Sequence, residues 1–391
     1  MQRIIFHVGD RKTGTSSIQR ALVQGAWRCD SRALHYPTGP ARPHHKWLAS
    51  GFVRDRQARI DRQFARLAEL IAAAPERTDV VVVSSETFQD VAPERLYAAI
   101  RQHLPEYAQR VEVLAYARPH AQRLLSSYAQ MVKLGRFSGD LDAYCDRMLR
   151  TGRFAMAERF QRWREVFGAR FTLRPMARDH LYRGDVVQDF FHHVLGGADF
   201  ELKTIPSANE SLSLADLALL RHFHALLVRQ NTAKGLKVHR AALEETRKRI
   251  GLRLAEHLSS HPDGETPERL KLHAALAVRI SAALAEDAAR CDAAFFDGTP
   301  MQDGLRAAVE TARPAPQSLA VEDHFPPATL RQIPVWMALV GDMARHAPKG
   351  WAPHFAEILN RSFRGFSEPV VTQTPQAPVG GAVGSSGPTP D

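Results

Sequence analysis

Four consecutive valines at positions 80–83 restrict the fold of this chain more than any other feature of its sequence. A strand with one face in water alternates apolar and polar residues, whereas an unbroken β-branched run is buried on both faces. Such strands occur in parallel sheets that carry helices on both sides. Further short apolar runs predict the neighbouring strands, at residues 3–8, 111–116 and 170–174.

Amphipathic segments separate these strands. Their apolar residues recur at helical spacing, which predicts helices over residues 15–27, 58–74, 96–104, 121–134 and 186–195. Strands that alternate with helices imply right-handed crossovers and therefore a parallel sheet. The sequence thus predicts the α/β class for residues 1–210.

The pattern changes after Ser211, because no convincing strand follows. Helical periodicity covers residues 213–231, 236–259, 267–295 and 327–346, which predicts a helical C-terminal portion over residues 211–366. Residues 367–391 are rich in Pro, Gly, Ser and Thr with few charges, a composition typical of a disordered tail.

The loop between the first strand and the first helix has the composition of an anion site. It reads Gly-Asp-Arg-Lys-Thr-Gly-Thr-Ser-Ser from Gly9, and a helix N-terminus there presents free N–H groups and a positive dipole end. Gly14 allows close approach of the backbone, and Lys12 adds a mobile cation. This is not a Walker A loop, in which lysine follows the second glycine. Here lysine precedes that glycine by two residues.

A second basic motif follows the strand at 111–116. Arg118 leaves that strand, Pro119 opens the next helix, and Ser126 lies eight residues after the arginine, two turns into the helix. A guanidinium binds phosphate oxygens through two hydrogen bonds, and a hydroxyl adds another donor. A ligand with two anionic groups would use both motifs.

These two motifs together resemble those of sulfotransferases that use 3′-phosphoadenosine 5′-phosphosulfate (PAPS). The bacterial branch often shows the first motif as His-x-Gly-x-x-Lys-Thr-Gly-Thr-Ser-x-x-Gln, and this chain matches it from His7 to Gln19. The family places its 3′-phosphate ligands as Arg-x-Pro-x-x-Arg-x-x-Ser-x-Tyr. This chain keeps the interval from Arg118 to Ser126 but lacks the residue between arginine and proline. Asn209 and Ser211 resemble a further Asn-x-Ser element of the bacterial members.

The resemblance implies a P-loop NTPase-like parallel sheet flanked by helices, with PAPS as sulfuryl donor and no metal. The residues that it implies for donor binding are Arg11, Lys12, Thr13, Gly14, Thr15, Ser16, Ser17, Arg118 and Ser126. Lys12 is also the candidate that stabilises the leaving phosphate, through preorganised positive charge.

The acceptor needs a general base, and the sequence offers two kinds of candidate. Glu86 follows the valine strand at the carboxyl edge of the sheet, where ligands bind in open α/β folds. His44 and His45 form the alternative. The sequence leaves this choice open.

Composition narrows the partners without naming the acceptor. The net charge is +10 and the isoelectric point is about 9.8, yet no dense Lys/Arg block with interleaved aromatics indicates nucleic acid. An acceptor hydroxyl or amine, carried by a small molecule, a glycan or a glycolipid at a membrane surface, fits better. Three scattered cysteines and no apolar run of membrane-spanning length fit a bacterial cytoplasm. A small-molecule kinase and a non-catalytic nucleotide- or glycan-binding scaffold are the competing hypotheses, and the oligomeric state stays open.

Overall fold

A computed structural model describes residues 2–10, 12–38, 43–203, 212–233, 240–260 and 267–346. Arg11, the Asn209–Ser211 element and the tail at 367–391 lie outside the described residues. The predicted boundary at residue 210 also falls outside them and stays a prediction.

Seven strands form two sheets in the described chain. The larger sheet has five strands in the order β3-β4-β1-β5-β6, and every neighbouring pair is parallel. The smaller pairs β2 with β7 in antiparallel fashion. The strands are β1 (Arg3–His7), β2 (Trp27–Arg28), β3 (Leu34–His35), β4 (Val80–Ser84), β5 (Val111–Ala117), β6 (Phe171–Pro175) and β7 (Glu201–Leu202).

Helices connect these strands and then continue alone to the end of the described chain. They are α1 (Thr15–Val23), α2 (Lys46–Val53), α3 (Gln57–Ala72), α4 (Pro93–His103), α5 (His120–Lys133), α6 (Leu141–Arg150), α7 (Ala157–Phe167), α8 (Val186–Val194), α9 (Leu214–Ala233), α10 (Arg240–Ser260), α11 (Ala274–Phe295), α12 (Pro300–Glu310) and α13 (Pro327–His346). The α/β class, the parallel sheet and the helical C-terminal part are therefore confirmed.

The valine strand lies where its composition predicts, second from one edge and buried on both faces. Val81 and Val83 belong to one apolar cluster, whereas Val80 and Val82 belong to the cluster on the opposite face. All four are at most 1% exposed. Because alternate valines contact different layers, replacing any of them would leave a gap in one of two cores.

The helical C-terminal part shares a core with the sheet. The apolar cluster that contains Val81 and Val83 of β4 also includes Leu217 of α9, Ile280 of α11 and Leu305 of α12. Buried contacts therefore run without interruption from the sheet into the C-terminal helices.

Several elements differ from the sequence expectation. Strands β2, β3 and β7 are only two residues long, too short to give a periodic signal. Helices α2, α6, α7 and α12 were not predicted either. The helix predicted over 267–295 begins only at Ala274, because His273 in extended conformation caps it through its side chain.

No helix in the described ranges combines the length and the apolar character needed to cross a membrane.

Candidate anion-binding site

The loop between β1 and α1 is shaped by two residues with positive φ. Gly14 is the N-cap of α1 at φ 78°, and Lys12 adopts φ 69°. A Cβ on Gly14 would lie 2.5 Å from Cγ1 of Val186, so only glycine fits here in both conformation and space. Within the described chain no side chain caps α1, and the N–H groups of Thr15 and Ser16, which precede the first hydrogen bond inside the helix, remain available to a ligand.

The hydroxyls of this loop have different surroundings. Thr15 is 4% exposed, and its buried Oγ1 has no hydrogen-bond partner among the described residues. Thr13 is fully buried and donates to the carbonyl of Asp10 at 2.6 Å, which is a structural role. Ser16 is exposed and Ser17 half-buried. Thr15 and the two serines therefore offer donors to a ligand, whereas Thr13 is already engaged.

Asp10 anchors the loop from below. Its buried carboxylate accepts hydrogen bonds from Nη2 of Arg123 at 3.2 Å and from Nη2 of Arg159 at 2.8 Å. Arg123 also donates to the carbonyl of Arg153. The arginine in the middle of the second motif is thus fixed by a buried acid and holds the loop against α5 and α7.

Arg118 and Lys12 meet at the top of the loop. Nη1 of Arg118 donates to the carbonyl oxygen of Lys12 at 3.0 Å, and its buried Nε has no partner among the described residues. Nζ of Lys12 donates to Oε1 of Gln130 at 3.1 Å. Burial, together with the charges of Lys133 and Arg118, lowers the pKa of Lys12 to about 8. The positive charges of Lys133 and Arg118 therefore repel the ammonium of Lys12 at the edge of the sheet.

Lys133 and Gln130 were missed by the sequence reasoning. With Ser126 they occupy positions i, i+4 and i+7 of α5, so they form one stripe along the helix. Ser126 and Lys133 are both half-buried. Burial lowers the pKa of Lys133, and the nearby charge of Glu256 raises it in part. This spacing from Ser126 was the signal that could have found them.

The candidate bases lie at the carboxyl end of β4. Glu86 is exposed and begins a 3-10 helix, Glu86–Asp90. Its charge raises the pKa of both Lys12 and His44, so the three side chains lie near one another. His44 is half-buried, and burial lowers its pKa below the ordinary value. Its buried Nδ1 has no partner among the described residues.

His45 is placed differently from His44. It is 0% exposed, and its Nδ1 accepts a hydrogen bond from the backbone N–H of Ser84 at 3.1 Å. Burial lowers the pKa of His45 to about 4. Nδ1, the atom that would take a proton, is therefore already used to fix the end of β4, whereas the buried Nε2 has no partner among the described residues. The role of His45 as a base stays a prediction.

A buried polar layer lies beneath the loop. Nδ1 of His7 is 2.9 Å from Oγ of Ser84, and Nε2 of Gln19 donates to the same hydroxyl at 3.1 Å. Burial lowers the pKa of His7 to about 3, so this imidazole is neutral. The residues at both ends of the first motif thus join β1, β4 and α1.

The described residues contain no group of three or more His, Cys, Asp or Glu side chains arranged to hold a metal ion. The fold and the site define an α/β protein whose first loop, the end of β5 and one stripe of α5 converge on a position suited to an anion.

No family model matches this chain, and no curated protein matches it. Among solved structures, a sulfotransferase from Alicyclobacillus acidocaldarius is similar over 77% of this chain and 99% of its own, with 15% identity and a TM-score of 0.39. A likeness this distant assigns no activity.

Proposed function

We propose that this protein binds PAPS and transfers its sulfuryl group to a hydroxyl or amine of an acceptor. The observation that carries the proposal is the convergence of Lys12, Arg118 and Lys133 on one loop. Like charges held together out of water are costly, and nearby carboxylates offset this only in part, because the pKa of Lys12 and that of Lys133 are still lowered overall. A bound anion would offset the remaining cost. Oγ1 of Thr15 and Nε of Arg118 add two buried donors that have no partner among the described residues.

The arrangement suits a donor with two separate anionic groups. The first N–H groups of α1, the hydroxyls of Thr15 to Ser17 and the ammonium of Lys12 would hold the 5′-phosphosulfate. Arg118 and Ser126 would hold the 3′-phosphate, since a guanidinium and a hydroxyl together satisfy several phosphate oxygens. Arg11 belongs to the proposed set by the sequence alone.

In the proposed reaction the acceptor forms a bond to sulfur while the bond from sulfur to the 5′-phosphate oxygen breaks. Lys12 would stabilise the negative charge that gathers on that oxygen, and Lys133 would add positive charge nearby. Glu86 would take the proton from the acceptor, because it is exposed at the ligand edge of the sheet and lies near Lys12. His44 is the alternative base, since burial keeps it neutral and its Nδ1 is unused by the described residues.

The binding test is thermal unfolding with 3′-phosphoadenosine 5′-phosphate, and with AMP and Mg-ATP for comparison. A ligand at about 100 times its dissociation constant stabilises the folded state by about 2.7 kcal/mol. We expect a selective shift that disappears in Lys12→Met and Arg118→Ala and persists in Lys271→Ala, an exposed lysine of the C-terminal part. A larger shift with Mg-ATP would favour the kinase, and no shift with any nucleotide would refute the proposal.

The turnover test is release of 3′-phosphoadenosine 5′-phosphate from PAPS with a panel of phenols, amines, oligosaccharides and a vesicle-borne glycolipid. Loss of a general base lowers turnover by about 10²- to 10⁴-fold. We expect Glu86→Gln to cause that loss while nucleotide binding stays intact. If Glu86→Gln is fully active and His44→Gln is not, the base is His44. Nucleotide binding without turnover on any acceptor would favour the scaffold.

A further inference from the structure

The turn that carries Arg118 is held from the C-terminal side of the chain. Arg118 and Pro119 join β5 to α5, and His120 is the first residue of the helix. Helices α11 and α12, more than 150 residues further along the chain, contact this turn at two separate points. Neither helix contains a residue of the proposed donor site.

The first contact is a buried histidine–aspartate pair. Nε2 of His120 lies 2.8 Å from Oδ2 of Asp287 in α11, and His120 is 0% exposed. Since a carboxylate only accepts, the imidazole N–H donates. The same carboxylate accepts from the backbone N–H groups of Met156 and Ala157 at 2.9 to 3.0 Å. Asp287 therefore fixes the start of α5 against the start of α7.

The second contact is a close approach of backbone to ring. A Cβ on Gly304 of α12 would lie 2.4 Å from Cβ of Pro119. Asp292 of α11 accepts from the backbone N–H groups of Met301 and Gln302, which fixes α12 on α11. Glycine at 304 thus lets α12 press directly against the residue that follows Arg118.

We infer that α11 and α12 set the orientation of Arg118, with Asp287 and Gly304 as positioning residues for the anion site. The two contacts fix Pro119 and His120, the two residues after Arg118. The guanidinium reaches Lys12 from that fixed base through its hydrogen bond to the Lys12 carbonyl. The identity of the anion rests on the proposed function, whereas the orientation of Arg118 does not.

A second histidine–aspartate pair provides the matched control. Nε2 of His273 lies 2.9 Å from Oδ2 of Asp142, which joins the N-cap of α11 to α6. Neither residue contacts the Arg118 turn. Asp142→Asn therefore weakens the attachment of α11 to α6 without changing a contact of the Arg118 turn.

The experiment compares affinity for 3′-phosphoadenosine 5′-phosphate in the wild type and in Asp287→Asn, His120→Ala, Gly304→Ala and Asp142→Asn. Residues that act through a neighbouring group change binding by roughly 2- to 30-fold. We expect such a loss in the first three variants and none in Asp142→Asn. His120→Gln should keep most of the affinity, because its amide can donate to Asp287. Gly304→Ala should bind more weakly, because its Cβ would press against Pro119, and the higher helix propensity of alanine should offset part of the stability lost to that clash.

A ligand-free measurement separates this inference from the proposed function. The charge of Arg118 lowers the pKa of Lys12, which is about 8 in the folded protein. The pH dependence of Lys12 acylation, followed by mass spectrometry, reports whether Arg118 has moved. The pKa should rise in Asp287→Asn and Gly304→Ala and stay unchanged in Asp142→Asn.

The outcomes are distinct. If the wild type does not bind the nucleotide but Lys12 responds as expected, the proposed function fails and the positioning role stands. If Asp287→Asn and Gly304→Ala have the same Lys12 pKa as Asp142→Asn, and the same affinity for the nucleotide where it binds, the positioning role is wrong.

Discussion

Replacement of Lys12 by methionine should stabilise the ligand-free protein at neutral pH. The ammonium of Lys12 is largely removed from water and lies near Lys133 and Arg118, which together lower its pKa from 10.5 to about 8. Between about pH 8 and 10.5 the folded state therefore binds fewer protons than the unfolded state. Stability rises with pH across that window, and below pH 8 the charged lysine imposes its full cost.

The magnitude follows from the size of the pKa shift. Each unit corresponds to 1.36 kcal/mol, so a fall from 10.5 to about 8 amounts to at most about 3 kcal/mol at neutral pH. Methionine keeps the length and apolar volume of the side chain but loses the hydrogen bond to Gln130, a charged bond that offsets part of the gain. We expect a net stabilisation of about 1 to 2 kcal/mol at pH 7.

The assay is urea unfolding of the wild type and Lys12→Met at several pH values from 6.5 to 10.5. The difference should be largest below pH 8 and should fade as the pH approaches 10.5, while nucleotide binding is lost throughout. Lys271→Met is the control, because that exposed lysine lies outside the cluster. A variant that is less stable than the wild type at pH 7, or a gain independent of pH, would refute the reasoning.

Three further changes test the architecture of the site. Arg118→Lys keeps the charge but loses the two-pronged geometry, so nucleotide affinity measured by calorimetry should fall by roughly 10- to 100-fold, and an unchanged affinity would contradict the assignment. Gly14→Ala should lower the free energy of unfolding in urea by about 1 to 3 kcal/mol through its positive φ alone. Adding Val186→Ala to this variant should relieve only the clash with Val186, so full recovery of stability in the double variant would exclude backbone strain. Asp189→Asn breaks a buried pair with Arg174 and should cost about 3 to 5 kcal/mol at pH 7. Burial alone would raise the pKa of Asp189, but hydrogen bonds to the carboxylate lower that pKa overall. The wild type should therefore be more stable than the variant above the ordinary Asp pKa, and this difference should disappear as acid protonates the carboxylate of the folded protein. A stability difference that persists in strong acid would refute this.

The sequence predicted the sheet because its strands carry their own signal. Four consecutive valines predict a strand that is buried on both faces, and in the structure alternate valines belong to the apolar clusters on opposite faces of the sheet. The short strand β3 carries no such signal, since two residues show no period and its position depends on pairing with β4. Length of the apolar run therefore separates the elements that were predicted from those that were not.

The site was less accessible than the fold, because its defining contacts join distant parts of the chain. Lys12 reaches Gln130 across 118 residues, and Asp287 reaches His120 across 167. Helical spacing from Ser126 could have indicated Lys133, whereas nothing local distinguishes Asp287 from other acids on α11. The roles of the named donor-binding and catalytic residues stay predictions until binding and turnover are measured.

Counterions distinguish the arginine that we propose to bind an anion from the arginines that are paired with carboxylates. Arg123 and Arg159 share the buried carboxylate of Asp10, and Arg174 is paired with Asp189. Burial lowers the pKa of Arg118, and no carboxylate of the described residues offsets this. A buried arginine that already has a carboxylate gains little from a second anion, because its donors are occupied and its desolvation is compensated. Arg118 instead faces further cations, so an incoming phosphate both fills its unused donor and relieves repulsion. Arg118 and Arg123 therefore have different surroundings although the sequence presents them alike, and the lack of a carboxylate beside Arg118 in the described chain supports its proposed role in anion binding.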